Sequence, residues 1–291
     1  MSTMYFAKVS MSSDIYKFYE DINLYNQFLN KLYKIINDER QIRDEYGRIY
    51  KLNSLMFDND NMTVTGRYSV IFDGKVEKYD WTKNEPKSRK EQDMSSTVNF
   101  FFDVKTELIA YTTSRDFGYQ QFTKMFKVYI DEALGDENIK VAVELLIDEE
   151  DLKKKINDLK KIEEISFKII PPNPPNIEEF NAIFGDRADA VYTSGTTQYT
   201  EIYELKDKKS ERGVKVVEYF DKIISVIKDG YGSVTARGVN SGDLPENISS
   251  KENTPKKHSI NTSRKDALPY IKEEGERVIK NIIAKKNQFK Q

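Results

Sequence analysis

The order of apolar and polar positions predicts alternating strands and helices. Apolar residues recur at helical spacing from Ile15 to Ile36, over about six turns, and predict one long amphipathic helix. Residues 5–9 predict a strand before this helix. Two extended stretches, 48–57 and 62–72, flank a cluster of Asp and Asn and predict a β-hairpin.

The middle of the chain repeats this alternation. Residues 74–93 are polar and rich in lysine, contain the only tryptophan, Trp81, and predict an exposed loop or an excursion at a sheet edge. A second apolar hairpin is predicted at 97–113, followed by a helix from Tyr119 to Ala133 that Gly135 ends. Further strands are predicted at 139–147, 165–170 and 231–237, an extended stretch at 189–205, and helices at 149–161, 177–184, 214–227 and from Leu268 onward.

A proline cluster marks the predicted domain boundary. Residues 171–175 contain half of the eight prolines, and proline ends both helices and central strands. We therefore expect an N-terminal α+β domain, residues 1–170, and a C-terminal α+β region, residues 176–291, that includes a basic segment at 251–291. The mixed order of elements predicts the α+β class, with antiparallel or mixed sheets and packed helices.

Composition excludes several classes of mechanism. The chain has no cysteine and one histidine, His258, so disulfide scaffolds, zinc fingers, thiol nucleophiles and multi-histidine metal sites are excluded. His258 has no carboxylate near it in sequence that could orient it for catalysis, so a solvated histidine is expected. Neither an apolar run of membrane-spanning length nor a signal peptide is visible, so a cytoplasmic protein without direct membrane insertion is expected.

The net charge of -2 conceals an uneven distribution, because residues 251–291 alone have 11 Lys or Arg against 5 Asp or Glu. Basic residues among Ser, Thr and Asn are typical of phosphate binding. A second basic set lies along the helix after the second hairpin. The predicted nucleic-acid-binding residues are Arg115, Lys124, Lys127, Arg237, Lys251, Lys256, Lys257, Arg264 and Lys265.

One tripeptide suggests catalysis instead of nucleic-acid binding alone. Asp103-Val104-Lys105 matches half of a metal-dependent nuclease site, in which carboxylates hold Mg²⁺ and a lysine helps to activate water. At this content of acids and bases, about seven or eight such tripeptides arise by chance. A turn residue between two strands is the simpler interpretation of Asp103, and the sequence predicts neither a metal nor another cofactor.

Three central segments carry a family resemblance. They are STVNFFFDVKTELIAYTTSRDFGYQQFTKMFK, KVAVELLID and IEEISFKIIPPNPP. These segments resemble the middle of RexA-like exclusion proteins of phage lambda. They are also similar to an uncharacterised bacterial family of like size that is found near antiviral genes. The resemblance implies a dimeric α+β protein similar to the RdgC recombination regulators, which encircle duplex DNA and need no catalytic residues.

Together these observations predict a non-catalytic antiviral or phage-exclusion protein that binds nucleic acid through its backbone without sequence preference. The expected partners are double-stranded DNA, a second copy of the chain in a homodimer, and an effector protein encoded nearby. Two alternatives remain: a metal-dependent nuclease using Asp103 and Lys105, and a sensor that recognises a phage or partner protein. The sensor would use the tyrosine-rich stretch from Tyr192 to Tyr203 or the aromatic N-terminal helix.

Overall fold

The computed structural model of the chain describes residues 2–11, 15–135, 139–207 and 209–288. It confirms the α+β class: an eight-stranded sheet and a four-stranded sheet, whose strands all pair antiparallel, are covered by helices. The strands are β1 (Ser2–Met11), β2 (Gln41–Arg43), β3 (Ile49–Asp58), β4 (Thr63–Asp80), β5 (Glu85–Asp103), β6 (Leu108–Thr112), β7 (Val141–Leu145), β8 (Lys161–Ile169), β9 (Tyr199–Glu204), β10 (Gly232–Val239), β11 (Pro245–Ser249) and β12 (Lys257–Ile260).

The large sheet has the order β12-β1-β6-β5-β4-β3-β2, and β7 also pairs with β1. The small sheet has the order β11-β10-β8-β9. The helices are α1 (Ile15–Glu20), α2 (Ile22–Ile35), α3 (Tyr119–Leu134), α4 (Glu149–Asn157), α5 (Ile177–Phe184), α6 (Asp186–Thr193), α7 (Glu218–Ile227), α8 (Ser250–Asn253) and α9 (Leu268–Gln288).

The large sheet is buried on both faces, which explains three consecutive phenylalanines in β5. Phe100 and Phe102 pack in the core that the sheet forms with α1, α2 and α3. Phe101 points to the opposite face and packs against α9, as the two-residue period of a strand requires. Helix α9 lies close to the sheet at Gly275, where an added Cβ would be 2.9 Å from the Cβ of Phe101.

The small sheet has its own core, which it forms with α4, α5, α6 and α7. We call the large sheet with α1, α2, α3 and α9 the first lobe, and the small sheet with α4 to α8 the second lobe. Asn173 joins the lobes, because its fully buried side-chain amide donates to the Val9 carbonyl at 3.1 Å and accepts from the Met11 amide at 3.0 Å.

Most predicted elements are present, but several differ in extent, and β2, β11, α8 and β12 were not predicted. The predicted helix 15–36 is two helices, because Asp21 caps a new start at Ile22 by accepting the Asn23 amide at 2.8 Å. The first five residues of the extended stretch predicted at 189–205 are helical, since α6 continues to Thr193 before β9 begins. Residues 74–93 are exposed, as expected, but most of them belong to the paired strands β4 and β5.

The division between the lobes does not coincide with the prolines at 171–175. Strand β8 precedes them yet belongs to the small sheet, whereas β12 and α9 follow them and pack in the first lobe. A strand belongs to the lobe in which it forms hydrogen bonds with neighbouring strands. The positions of prolines in the sequence do not reveal these bonds. Among the described residues, no helix has both the length and the apolar character needed to cross a membrane.

Candidate nucleic-acid interface

The outer parts of β4 and β5 extend from the large sheet as a two-stranded ribbon, residues 73–93, which we call the β-arm. A register shift after Phe72 separates it from the sheet, and its pairs then run from Gly74 with Glu91 to Asp80 with Glu85. Seven residues per strand give the β-arm a length of roughly 23 Å. Every residue from Trp81 to Lys90 is exposed, so the β-arm buries little that could stabilise it.

Two pairs of lysines face each other across the β-arm. Lys75 lies opposite Lys90, and Lys78 lies opposite Lys87. Like charges directly opposite each other destabilise an antiparallel pair, and a two-stranded ribbon is only marginally stable in water. The repulsion would be relieved by a bound anion, because negative charge between the lysines replaces two unfavourable interactions with favourable ones.

Five lysines of the β-arm lack an acidic partner. Within the ranges described, none of Lys75, Lys78, Lys83, Lys87 and Lys90 makes an ion pair, whereas Arg89 lies 3.2 Å from Glu91. Across the whole β-arm, residues 73–93, six Lys or Arg are balanced by six Asp or Glu. The β-arm is therefore neutral overall, and its capacity to bind an anion rests on the five lysines that make no ion pair.

The tip of the β-arm carries two exposed aromatic side chains. Trp81 is 85% exposed and Tyr79 is 46% exposed, and their rings meet edge to face at 4.9 Å. A tryptophan left in water at the end of a ribbon contributes nothing to the core. Large aromatic rings beside lysines are typical of surfaces that stack on bases or insert between them.

Three of the nine predicted nucleic-acid-binding residues share one groove. Lys124 and Lys127 from α3 and Lys251 from α8 line a groove of about 330 Å³ beside β7. Each of them is matched by a carboxylate. The pairs are Lys124 with Glu45 at 3.7 Å, Lys127 with Asp131 at 2.5 Å and Lys251 with Glu144 at 2.6 Å. The groove therefore has far less free positive charge than the sequence suggested.

The other six predicted residues do not line this groove. Arg237 pairs with Glu164 at 2.7 Å in the small sheet. Burial lowers the pKa of Lys256, and the guanidinium of Arg264 lies 4.3 Å from the centre of the Tyr270 ring. Arg115 and Lys257 are exposed, and Lys265 is half-buried.

Asp103 and Lys105 have structural roles in the turn between β5 and β6. The Asp103 carboxylate accepts the Thr106 amide at 3.2 Å, and burial raises its pKa. The Lys105 ammonium donates to the Asp60 carbonyl at 2.8 Å. No cluster of three or more His, Asp or Glu suited to a metal is found in the described part of the chain. The arrangement fits the simpler interpretation of Asp103 as a turn residue.

His258 differs from expectation, because a carboxylate does orient it. Its Nε2 lies 3.2 Å from Glu274, and Arg277 is 3.1 Å from the same nitrogen. Both partners come from α9, which lies beside β12 in the fold. The prediction of a solvated histidine was wrong because the partner is 16 residues away in sequence.

The sequence gives only a weak signal for the strands of the β-arm. Residues 75–79 and 86–90 are charged or polar at almost every position, with single apolar or aromatic residues between them. Because neither face is apolar, this pattern predicts an exposed loop or an excursion at a sheet edge. The two strands are paired because they continue the buried strands of the large sheet, and the local pattern does not show that continuation.

One comparison with known proteins finds a match. A family model described as a domain of unknown function (DUF4747) matches residues 14–273. The matched segment begins just before α1, contains both sheets apart from β1, includes the β-arm, and ends in the first turns of α9. A search of curated proteins finds no match.

Proposed function

The chain belongs to the DUF4747 family, and from that premise and the β-arm we propose that it is a non-enzymatic, cytoplasmic nucleic-acid-binding protein. It binds the phosphate backbone without sequence preference, as an antiviral or phage-exclusion protein. The antiviral setting rests on the resemblance of the central segments to RexA-like proteins. The binding itself rests on one observation, the unpaired lysines of the β-arm.

The dimensions of the β-arm favour duplex DNA as the ligand. The major groove of B-DNA is wide enough for a two-stranded β-ribbon, whereas the major groove of an RNA duplex is too narrow for side chains to read. Lysines on both faces of the ribbon would reach phosphates on either side of the groove. Trp81 at the tip supports contact with bases by stacking or wedging.

A homodimer belongs to the proposal, because the resemblance to RexA-like proteins implies one. One β-arm has five lysines without an ion pair. Each neutralised phosphate contributes about -0.9 to the slope of log K against log salt concentration, so one β-arm predicts a slope of at most about -4.5. Two β-arms on one duplex would double it. The slope and the molar mass in solution together report how many β-arms bind.

The decisive test compares two quadruple variants by fluorescence anisotropy with a labelled 30-base-pair duplex. The first replaces Lys75, Lys78, Lys87 and Lys90 with Gln. The matched control replaces four lysines that are ion-paired on helices, Lys153, Lys155, Lys222 and Lys280, and it changes the net charge equally. We expect the β-arm variant to lose at least tenfold in affinity at low salt, with a slope about 3.6 less steep.

The control variant should bind within a factor of about three of the natural sequence, since its lysines face carboxylates. Equal losses in both variants, or no binding at low salt, would refute the β-arm as the interface. The duplex should also remain intact in Mg²⁺ or Mn²⁺. Cleavage that Asp103→Asn abolishes would establish the nuclease alternative instead.

A second candidate function, recognition of a partner protein, is supported by β9. This strand lies at the edge of the small sheet, and Ile202 on it is 59% exposed. Edge strands are common sites for the addition of a partner strand. An effector protein that binds there should release when Ile202 is replaced with Lys, while the affinity for DNA stays unchanged.

A further inference from the structure

A pocket of about 230 Å³ lies between α1 of the first lobe and α5 and α6 of the second lobe. Helix α1 contributes Tyr16, Tyr19 and Glu20 to its walls, and α6 contributes Asp189 and Tyr192. We call it the tyrosine pocket. It is smaller than the pockets that take drug-sized ligands, so its size suits a small molecule or the end of one side chain.

The three tyrosine rings of the pocket form one cluster. The ring of Tyr16 meets those of Tyr19 and Tyr192 edge to face, with ring centres 5.7 and 5.0 Å apart. The planes of Tyr19 and Tyr192 differ by only 25°, and their centres are 6.5 Å apart. Tyr192 is 43% exposed, and the other two rings are half-buried. Rings set at steep angles to one another thus line one small pocket from two helices.

Hydrogen bonds fix the orientation of these rings. The hydroxyls of Tyr16 and Tyr19 donate to backbone carbonyls that follow β8 in the chain, the first of them to Val191 at 3.2 Å. The Tyr192 hydroxyl donates to the Glu20 carboxylate at 3.0 Å. Burial raises the pKa of Tyr16 to about 12, so its hydroxyl stays protonated at neutral pH. Each hydroxyl is already a donor within the protein, and the rings therefore offer a ligand their faces.

The charge around the tyrosine pocket is negative. Two carboxylates, Glu20 and Asp189, line it, and no Lys or Arg belongs to the lining within the described ranges. Both carboxylates are exposed, whereas the buried side chains of the walls, such as Phe180 and Val191, are apolar. A cation would therefore be attracted by the acids and then meet a lining of rings and apolar groups.

We propose that the tyrosine pocket binds a quaternary ammonium group. A cation over the face of a tyrosine, within about 6 Å of the ring centre, is attracted by the ring quadrupole, and several rings around one cation add to this attraction. A primary ammonium or a guanidinium has N–H donors that need acceptors, and the ammonium is also strongly hydrated. A quaternary ammonium has no N–H, and its methyl groups suit the apolar part of the lining.

The experiment uses isothermal titration calorimetry on the full chain to compare choline with two matched probes. Dimethylbutanol, with a tert-butyl group in place of the trimethylammonium, has the same shape without the charge. Ethanolamine has the charge on a group with three N–H bonds. We expect choline to bind at least about tenfold more tightly than either probe, because only choline combines a positive charge with weakly hydrated methyl groups.

A trimethyllysine peptide, titrated beside its unmodified form, distinguishes the two sources of the group. Tighter binding of choline would identify a free small molecule, and tighter binding of the modified peptide would identify a modified protein. The β-arm variant without four lysines should bind choline as the natural sequence does, since no β-arm residue lines the tyrosine pocket. The two proposals can therefore fail separately.

Substitutions of Tyr192 test whether the ring face carries the binding. Tyr192→Leu removes the face and should weaken choline binding about tenfold, whereas Tyr192→Phe keeps the face and should stay within a factor of about three. Tyr46→Leu is the matched control, because Tyr46 is 77% exposed and lies outside the pocket. It should leave choline binding unchanged.

The proposal is overturned if neither choline nor the trimethyllysine peptide binds more tightly than its matched probes. It is equally overturned if Tyr192→Leu binds choline as Tyr46→Leu does. A loss in Tyr192→Phe as large as that in Tyr192→Leu would also overturn it, because the hydroxyl and not the ring face would then bind the ligand.

Discussion

Strands β4 and β5 form one continuous hairpin whose two halves serve opposite purposes. In the inner half, Tyr68, Phe100 and Phe102 are fully buried between the large sheet and its helices. In the outer half, the β-arm exposes lysines and Trp81 to water. The ladder of hydrogen bonds is the same in both, apart from the shift after Phe72. The side chains alone distinguish the buried, stabilising half from the exposed half that we propose for binding.

The contrast shows what holds each half in place. The inner half is stable because burial of aromatic rings offsets the entropy lost on folding. The outer half buries little, and its paired lysines repel each other, so it depends on the inner half for its register. A segment that adds little to the stability of the fold, yet is held in a fixed position by it, is a good candidate for a functional site.

The largest expected effect is the loss of stability caused by a substitution in the inner half. Phe102→Ala removes a fully buried ring and should lower the free energy of unfolding by about 3–5 kcal/mol. Tyr79→Ala in the β-arm should change it by less than about 0.5 kcal/mol. Urea denaturation curves fitted with one shared m-value would measure both changes in the free energy of unfolding. A comparable loss from Tyr79→Ala would mean that the β-arm packs on something and that the two halves do not differ.

A single charge reversal should separate stability from binding within the β-arm. Lys87→Glu turns the repulsive pair with Lys78 into an attractive one, which should stabilise the ribbon by about 0.2–1 kcal/mol. The same change removes one phosphate contact and adds repulsion, so affinity for duplex DNA should fall about tenfold at low salt. Hydrogen exchange of the β-arm amides and anisotropy titrations would measure the two effects. Movement of both in the same direction would contradict the proposal.

The smallest expected effect concerns the turn that ends the inner half. Burial raises the pKa of Asp103 above its ordinary value, so the folded state binds its proton more tightly than the unfolded state. Stability is therefore lost as pH rises from about 4 through the raised pKa. Asp103→Asn keeps the acceptor for the Thr106 amide without the charge, and should be more stable than the natural sequence by about 1 kcal/mol at pH 7.

That advantage should shrink as the pH falls, because the raised pKa lets the folded state bind the proton of Asp103 more readily than the unfolded state does. Thermal melting of both proteins between pH 4 and 7 would measure the difference. A variant that is equally stable at every pH would show that the carboxylate is not destabilised by burial. A variant that is less stable at pH 7 would show that its charge is needed in the turn.

The sequence predicted the elements that carry their own periodicity, and failed where partners are distant. The apolar stripe of α3 and the phenylalanines of β5 can be identified from the local sequence. An element that is buried on one or both faces has apolar residues at regular spacing. The pairing of the β-arm, the carboxylate beside His258 and the return of α9 to the first lobe depend on tertiary contacts. A cavity beside α9 is lined by residues from Lys8 to Lys286, and no local sequence pattern shows that these residues come together.

The environment of the predicted binding residues depends on tertiary contacts in the same way. A count of lysines does not reveal which of them face a carboxylate, and Lys124, Lys127 and Lys251 all do. Opposite charges meet across elements, such as α8 and β7, whose proximity the sequence does not show. Whether these nine residues bind nucleic acid stays a prediction.

The pairing of β1 with β12 also affects how the protein is made. Ser2 aligns with Ile260, so at a synthesis rate of about 5–20 residues per second the first strand waits roughly 13 to 50 s for this neighbour. During that interval Met4, Phe6 and Phe101 lack the cover that α9 gives them. The nascent chain therefore exposes an apolar sheet face on the ribosome, and its folding should depend more on chaperones than that of a protein with local contacts.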